Sequence, residues 1–334
     1  MSEQPQDLDP DVQRWMLRIS PKSPPVSVDE ARSHARETNA AALATLDPSL
    51  TPASETDGTL PGPAGEIPIR VLRPALEGPL PTVVYLHGGG WVVGDLDTHL
   101  GHARRICVQA GAVVVSVDYR LAPEHRFPAA FDDAVAATTA VSERLPEFGG
   151  SDVLVVAGDS AGGQLAASVA IAFRDAGRPL SAQLLLYPVT DVAGRYEDEE
   201  VNATYMCRNT AHQRFGLTLE GMQAFARHYV EVADSSDWRV SPYRRPDLAG
   251  VAPAVIHTSS LDVLRGEGNF YGDRLKAAGV DVVAREFPSL NHSYFGLGGV
   301  SAVADAAAGQ AAEDLHALLA RARSTAGHGE SEVG

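Results

Sequence analysis

The stretch Gly158-Asp159-Ser160-Ala161-Gly162-Gly163 decides the fold of this chain. An apolar run, residues 153–157, precedes it, and an Ala-rich segment, residues 164–173, follows it. We therefore predict a buried strand, a sharp turn and a helix in that order, with Ser160 at the bend. The small residues two positions before and after the serine let the strand and helix backbones approach closely. A helix that begins at the serine turns its positive dipole end toward any negative charge that develops there.

Composition limits the classes of function. The chain has 334 residues, of which 44% are hydrophobic and 31 are glycine, as expected of a large globular domain. The formal net charge of −16 would repel nucleic acid and anionic membranes, so neither is an expected partner. Cys107 and Cys207 have no metal-ligand or redox spacing.

The sequence also predicts the compartment. No apolar run approaches the roughly 20 residues that cross a membrane, so no membrane span is expected. The acidic, polar N-terminus lacks the basic start and apolar stretch of a signal peptide. We therefore expect a cytoplasmic protein.

Strand and helix patterns alternate along most of the chain. Strands are predicted at 67–72, 82–86, 112–117, 153–157, 183–187, 254–258 and 282–287, and helices at 11–19, 27–46, 98–110, 128–145, 218–231, 266–278 and 300–323. This alternation indicates an α/β fold with a mostly parallel central sheet and helices on both faces. The Pro- and Gly-rich segment 51–65 is expected to be a connection. The pattern lapses between 191 and 245, which we interpret as an insertion.

The G-x-S-x-G pattern between a strand and a helix resembles the nucleophile elbow of the α/β-hydrolase fold. A serine hydroxyl is a weak nucleophile unless a base takes its proton and an acid orients that base. In this fold the acid and then the histidine follow the serine along the chain. Both partners of Ser160 are therefore expected later in the chain.

His292 is the predicted base. It lies in a loop just beyond the last predicted strand, whereas His316 lies within a helix and His328 in the tail. Catalytic groups in parallel sheets gather beyond the carboxyl ends of the strands. The same rule makes Asp262, four residues after the strand ending at Thr258, the predicted acid. Glu267, in the first turn of the next helix, is its nearest rival.

A second motif, His87-Gly88-Gly89-Gly90-Trp91, directly follows the strand 82–86. Stabilising a tetrahedral oxyanion requires N–H groups that converge on one point, and glycines permit such a backbone. We predict the backbone N–H groups of Gly88, Gly89 and Ala161 as donors. Trp91 either lines the substrate pocket or anchors the loop as a buried aromatic.

Four longer motifs carry a family resemblance: HGGGWVVGDLDTH (87–99), DYRLAPEHRFPAAFDDA (118–134), GDSAGG (158–163) and LDVLRGEG (261–268). They resemble the hormone-sensitive-lipase-like carboxylesterases. The resemblance implies hydrolysis of short- to medium-chain acyl esters through a Ser-His-Asp triad and an acyl-enzyme intermediate, with no metal or organic cofactor. Self-association into a homo-oligomer is compatible with it.

The resemblance also implies a helical cap over the active site. We expect the cap to comprise residues 1–50 and the insertion 190–245. The catalytic core would then comprise 51–189 and 246–323, with a loose tail at 324–334. Two sites depart from the family pattern: Val263 replaces a proline after the acid, and Ser293-Tyr294 replaces Gly-Phe after the histidine. Substrate preference therefore transfers less directly than the triad.

Two alternatives remain open from the sequence. The same triad could act on an amide, a carbamate or a lactone. A non-catalytic small-ligand receptor on the same scaffold is an alternative of another class. Such receptors typically lose the histidine or distort the glycine loop, and this chain has both His292 and the loop.

Overall fold

The structure, a computed structural model, describes residues 7–19, 27–209 and 216–329. Within these residues eight strands form one sheet: β1 (Ser54–Gly62), β2 (Gly65–Arg73), β3 (Leu80–Leu86), β4 (Val113–Val117), β5 (Gly150–Asp159), β6 (Ala182–Leu186), β7 (Ala254–Leu261) and β8 (Val282–Asn291). Their order across the sheet is β1-β2-β4-β3-β5-β6-β7-β8. Only the β1–β2 and β2–β4 pairs are antiparallel. The predicted mostly parallel sheet is confirmed.

The described α-helices are α1 (Pro10–Ile19), α2 (Val28–Leu43), α3 (Leu100–Gln109), α4 (Ala129–Ser142), α5 (Ala161–Asp175), α6 (Glu199–Thr204), α7 (Leu219–Tyr229), α8 (Arg265–Ala277) and α9 (Ala302–Gly329). Helices α4, α5 and α8 pack on one face of the sheet, and α3 and α9 pack on the other. The central strands β4 and β6 are almost wholly apolar because both faces of the sheet are covered there. Among the described residues, no helix combines the length and the apolar character that crossing a membrane requires.

The segment 51–65, predicted as a connection, contains strand β1. This strand pairs with β2 from Ser54 opposite Arg73 to Gly62 opposite Gly65. The prediction failed because β1 is an edge strand in which only Leu60 is buried. A strand that faces water along almost its whole length needs no apolar alternation, so its sequence resembles a loop.

The described parts of the insertion, 190–209 and 216–245, contain no strand, as the lapse in the pattern predicted. They contain two α-helices, one more than predicted. The additional helix, α6, begins at the acidic cluster, where the Asp198 side chain accepts the N–H groups of Glu200 and Val201. Carboxylates at a helix N-terminus stabilise the positive end of its dipole.

The C-terminal helix is longer than expected. We predicted its end at Arg323 and a loose tail from 324, but the backbone of α9 continues to Gly329. No proline interrupts the segment, and the Ala-rich helix that precedes it allows each further residue to add one backbone hydrogen bond. The remainder of the predicted tail, 330–334, lies outside the described residues.

Candidate active site

Ser160 lies at the bend between β5 and α5 with φ 53° and ψ −119°, a conformation that L-residues rarely adopt. Glycines on both sides make the bend sterically feasible. A Cβ on Gly158 would overlap the carbonyl of Gly162, and a Cβ on Gly162 would overlap the carbonyl of Leu86. The Ser160 N–H donates to the Leu186 carbonyl oxygen at 2.9 Å, which ties the bend to the neighbouring strand. The serine is therefore held at the end of the sheet.

Strands β7 and β8 deliver the predicted acid and base side by side. The last paired residues of these parallel strands are Leu261 and Asn291, after a register shift that begins at Ser259. Asp262 directly follows Leu261, and His292 directly follows Asn291. The Ser259 hydroxyl donates to the Asn291 carbonyl at 2.9 Å and holds the two strand ends together.

Ser160, His292 and Asp262 form one hydrogen-bonded chain. The Nε2 atom of His292 lies 2.9 Å from the Ser160 hydroxyl, and its Nδ1 atom lies 2.7 Å from Oδ2 of Asp262. The Asp262 side chain is buried and also accepts the Leu264 N–H at 3.0 Å. The structure thus brings together the three residues that the sequence placed at a catalytic centre.

Glu267, the rival acid, lies elsewhere. It is fully buried in α8, where it pairs with the buried guanidinium of Arg208 from the insertion. It also accepts the Thr190 N–H at 2.8 Å. Glu267 therefore connects the insertion to the core. Among the described residues it makes no hydrogen bond to His292.

The glycine loop departs from the prediction at Gly88. We expected the Gly88 N–H to bind the oxyanion, but it donates to Oδ1 of Asp159 at 2.9 Å. The N–H groups of Gly89 and Gly90 have no hydrogen-bond acceptor among the described residues, and both glycines line the cleft at Ser160. Ala161 is the first residue of α5, so its N–H has no partner within the helix. The available donors are therefore those of Gly89, Gly90 and Ala161.

Known proteins resemble this chain over most of its length. A model of the alpha/beta hydrolase fold family matches residues 83–296. Esterase LipI of Mycobacterium tuberculosis is 40% identical over 273 residues, which cover 79% of this chain and 82% of the relative. Carboxylic ester hydrolase LipN of the same organism is 42% identical over 259 residues, which cover 74% of this chain and 66% of the relative.

A solved structure gives the same result. The hyperthermophilic esterase from the archaeon Pyrobaculum calidifontis aligns with a TM-score of 0.83 and 34% identity, covering 93% of this chain and 99% of that one. This chain belongs to the carboxylesterase family of the α/β-hydrolase fold. The family that the four motifs predicted is confirmed.

In this carboxylesterase, Asp159 organises a buried polar cluster beneath the glycine loop. Its Oδ1 atom accepts the Tyr85 hydroxyl at 2.6 Å, and its Oδ2 atom lies 3.6 Å from Nε2 of His99. Burial opposes its ionisation, but His99, His102 and the Tyr85 hydroxyl outweigh burial and hold the pKa of the carboxyl well below its usual range. Asp159 therefore remains a carboxylate that accepts hydrogen bonds.

His87 is a structural residue. It is fully buried, its Nδ1 atom lies 2.8 Å from the Gly88 carbonyl oxygen, and its ring stacks on Tyr119 at 4.3 Å. Burial lowers its pKa to about 4. The ring is therefore neutral near pH 7 and supports the loop by packing.

Of the two alternatives for Trp91, the structure agrees with the second: the side chain anchors the loop and does not line the cleft. The side chain is fully buried, donates its Nε1–H to Gln164 at 2.9 Å and stacks on Tyr229 at 4.2 Å. It is absent from the residues that line the cleft. Packing between α5 and α7 places the indole behind the loop.

Tyr187 is a site residue that sequence reasoning missed. Its ring meets the His292 ring edge to face, with centroids 4.9 Å apart. The residue follows β6 and adopts a positive φ of 36°. The position directly after a parallel strand was the available signal, since the same rule identified Asp262 and His292.

The cleft that contains Ser160 has a volume of about 410 Å³. Besides the loops of the core it is lined by side chains of α1, α2 and α7, among them Trp15, Met16, Thr38, Asn39, Met222 and Phe225. A Cβ on Gly90 would overlap the Phe225 ring, so α7 lies directly against the glycine loop. Of the residues that depart from the family pattern, Ser293 lines the cleft, whereas Val263 and Tyr294 are buried and do not line it.

Helix α2 is tied to the core through Arg32. Its guanidinium binds both oxygens of Glu124 at 2.8 Å and the Val92 carbonyl oxygen at 2.9 Å. These contacts hold one wall of the cleft in place. No group of three or more His, Cys, Asp or Glu side chains in the described part of the chain is arranged to hold a metal ion.

Proposed function

We propose that this chain is a serine carboxylesterase in which Ser160 is the nucleophile, His292 the general base and Asp262 the orienting acid. The observation that carries the proposal is the position of the His292 ring, with one nitrogen 2.9 Å from the Ser160 hydroxyl and the other 2.7 Å from the Asp262 carboxylate. Hydrogen bonds of this length allow proton transfer from the hydroxyl to the ring.

The first half of the reaction forms an acyl-enzyme. Nε2 of His292 takes the Ser160 proton while the serine oxygen attacks the ester carbonyl carbon. Asp262 accepts the Nδ1–H of His292, which presents Nε2 as the acceptor and stabilises the imidazolium that forms. The imidazolium then protonates the departing alcohol. In the second half water attacks the acyl-serine by the same route.

The oxyanion is held by three backbone N–H groups, those of Gly89, Gly90 and Ala161. The positive end of the α5 dipole adds to their effect, because the helix begins beside Ser160. Removing one such donor typically costs about 10²- to 10³-fold in kcat. Asp159 positions the loop by accepting the Gly88 N–H at 2.9 Å.

Helices of the proposed cap, 1–50 and 190–245, close the cleft opposite the core. A cleft of about 410 Å³ is near the lower end of small-molecule sites, which supports esters of short or medium chain length. A cytoplasmic location remains a prediction from the sequence, and self-association remains a prediction from the resemblance. An amide, carbamate or lactone substrate would use the same groups.

Hydrolysis of p-nitrophenyl butyrate tests the proposal. We expect turnover by the wild-type protein and a loss of at least about 10⁴-fold in kcat in Ser160→Ala. Ser142→Ala, on α4 and outside the cleft, is the matched control and should retain activity. A phosphonate should label the wild-type protein at Ser160. A wild-type protein that neither turns over the ester nor reacts with the phosphonate would favour the receptor alternative.

A further inference from the structure

One wall of the cleft separates it from a second, smaller space. Asn39, Ala42, His102 and Gly296 line both. The smaller space lies between α2, α3 and the loop after His292, and its accessible volume is about 10 Å³. That is about the volume of one water molecule, so no substrate chain can occupy it as it stands.

The far side of this space is largely apolar. It is lined by the side chains of Leu43 and Leu46 on and after α2 and by Phe295 after β8. An alkyl chain that passed the shared wall would therefore bury its methylene groups against hydrocarbon. Each methylene group transferred from water to such surroundings contributes about 0.8 kcal/mol, or roughly fourfold in binding.

His102 has the largest side chain among the four residues of the shared wall. Its imidazole is 5% exposed, and its ring centroid lies 5.3 Å from that of Phe295 and 5.0 Å from that of His99. A Cβ on Gly296 would lie 2.8 Å from its Cε1 atom, so the backbone packs directly against the ring. The His102 ring therefore fills this part of the wall and separates the cleft from the smaller space.

The ring is also compatible with an apolar neighbour. Burial, reinforced by the neighbouring His99 and Arg105 side chains, lowers the pKa of His102 to about 4, although the Asp159 carboxylate opposes this. Its imidazole is consequently neutral near pH 7. A neutral ring at the end of the cleft contacts an alkyl chain without the desolvation of a charge.

We propose that His102 is a specificity-determining residue that limits the length of the substrate chain running from Ser160 toward α3. The inference rests on the proposed esterase activity. It assigns to one side chain of the α3 wall the preference for short and medium chains that the family resemblance implies only in general terms.

Two series of esters test the proposal. One varies the acyl chain of p-nitrophenyl esters from acetate to decanoate, and the other varies the alcohol of acetate esters from methyl to octyl. Values of kcat/KM are expressed per phosphonate-titrated serine, so that any inactive fraction does not contribute. His102→Ala should shift one of the two series toward longer chains, with a gain of roughly fourfold for each methylene group that enters the opened space.

His102→Phe is the matched control. It keeps a planar ring in the wall and removes the ring nitrogens, so it should retain the wild-type chain-length profile. A shift in His102→Phe equal to that in His102→Ala would overturn the proposal, because polarity and not bulk would then set the limit. An active His102→Ala variant with the wild-type profile in both series would also overturn it.

Asn39→Ala removes a second side chain from the same wall. Asn39 lies within α2, where alanine has a higher helix propensity than asparagine, so we expect the variant to fold. It should shift the same series in the same direction as His102→Ala. If His102→Ala does not fold, an unmoved profile in Asn39→Ala overturns the proposal. A wild-type protein without ester turnover would instead overturn the proposed function itself, so the two failures are distinguishable.

Discussion

Asp159 accepts the backbone N–H of Gly88 at 2.9 Å, so the residue before the nucleophile fixes the loop on the other side of the oxyanion site. The same oxygen accepts the Tyr85 hydroxyl at 2.6 Å. One carboxylate thus couples β3, the glycine loop and the elbow. This coupling explains why Gly88 is not a donor to the oxyanion and why the next two glycines are available.

The first prediction concerns this carboxylate. Asp159→Ala leaves two buried donors without an acceptor and releases the loop, so we expect kcat to fall by about 10²-fold, the typical cost of one oxyanion donor. Asp159→Asn keeps an oxygen acceptor for Gly88 and should lose less. Steady-state kinetics of phosphonate-titrated protein measure both. Wild-type kcat in Asp159→Ala would contradict this role.

The second prediction concerns the loop backbone. Gly89 has a φ of +112°, and a Cβ there would overlap the Val93 carbonyl. We expect Gly89→Ala to lower kcat by about 10²- to 10³-fold, because its N–H can no longer point into the cleft. Gly309→Ala is the control. Gly309 lies within helix α9, and a Cβ there would meet only the Gln109 side chain of α3, at 3.8 Å, so activity should persist with unchanged or slightly higher stability.

The third prediction concerns the pH dependence of stability. Burial lowers the pKa of His102 from 6.5 to about 4 in the folded protein. Between about pH 6.5 and pH 4, His102 is protonated in the unfolded chain but not in the folded protein. The free energy of unfolding therefore decreases as the pH falls through this interval. His102 alone accounts for about 2 kcal/mol between pH 7 and pH 5.

Urea unfolding of wild-type protein and His102→Phe at pH 7 and pH 5 checks this sign. The variant lacks the titrating group, so its stability should decrease by about 2 kcal/mol less than that of the wild type over the same interval. His87, whose pKa burial also lowers to about 4, remains in both proteins and contributes equally to both. Equal decreases in the two proteins would contradict the prediction.

The fourth prediction concerns the ion pair between Arg208 and Glu267. Both side chains are fully buried, and Arg208 also stacks on Tyr196 and Tyr205 with distances of 4.3 and 4.2 Å. Arg208→Met leaves a buried carboxylate without its charge partner, which typically costs about 3–5 kcal/mol. Burial raises the pKa of Glu267, although Arg208 opposes this, so removal of Arg208 should favour its protonated form.

The double variant Arg208→Met/Glu267→Gln separates the pair from its surroundings. It removes both charges, so it should be more stable than Arg208→Met alone. Chemical denaturation at pH 7 measures the difference. If Glu267→Gln destabilises Arg208→Met as much as it destabilises the wild type, the two side chains are not coupled.

Much of the site was predictable because the chain order reports it. In a parallel sheet the residue that follows a strand lies at one known edge, and this rule selected Asp262 and His292, whereas the elbow motif selected Ser160. The runs of β-branched residues likewise predicted the buried strands, and the glycines of the elbow predicted the close approach of β5 and α5. These are local patterns with one structural solution.

Other features depend on contacts that a linear pattern does not contain. Three consecutive glycines are equivalent in the sequence, and only the carboxylate of Asp159, seventy-one positions from Gly88, determines which N–H turns away. The position of Trp91 depended on Gln164 and Tyr229 in the same way. Strand β1 was missed for the opposite reason, since an exposed edge strand has almost no pattern to read.

The central claim is that Ser160 becomes acylated. Protein mixed with excess p-nitrophenyl butyrate and quenched in acid should carry a butyryl group, and peptide mapping by mass spectrometry should place it on the peptide containing Ser160. A butyryl group on Ser160 that is absent from Ser160→Ala agrees with the mechanism. Rapid ester turnover with acylation on another residue, or on none, would contradict it.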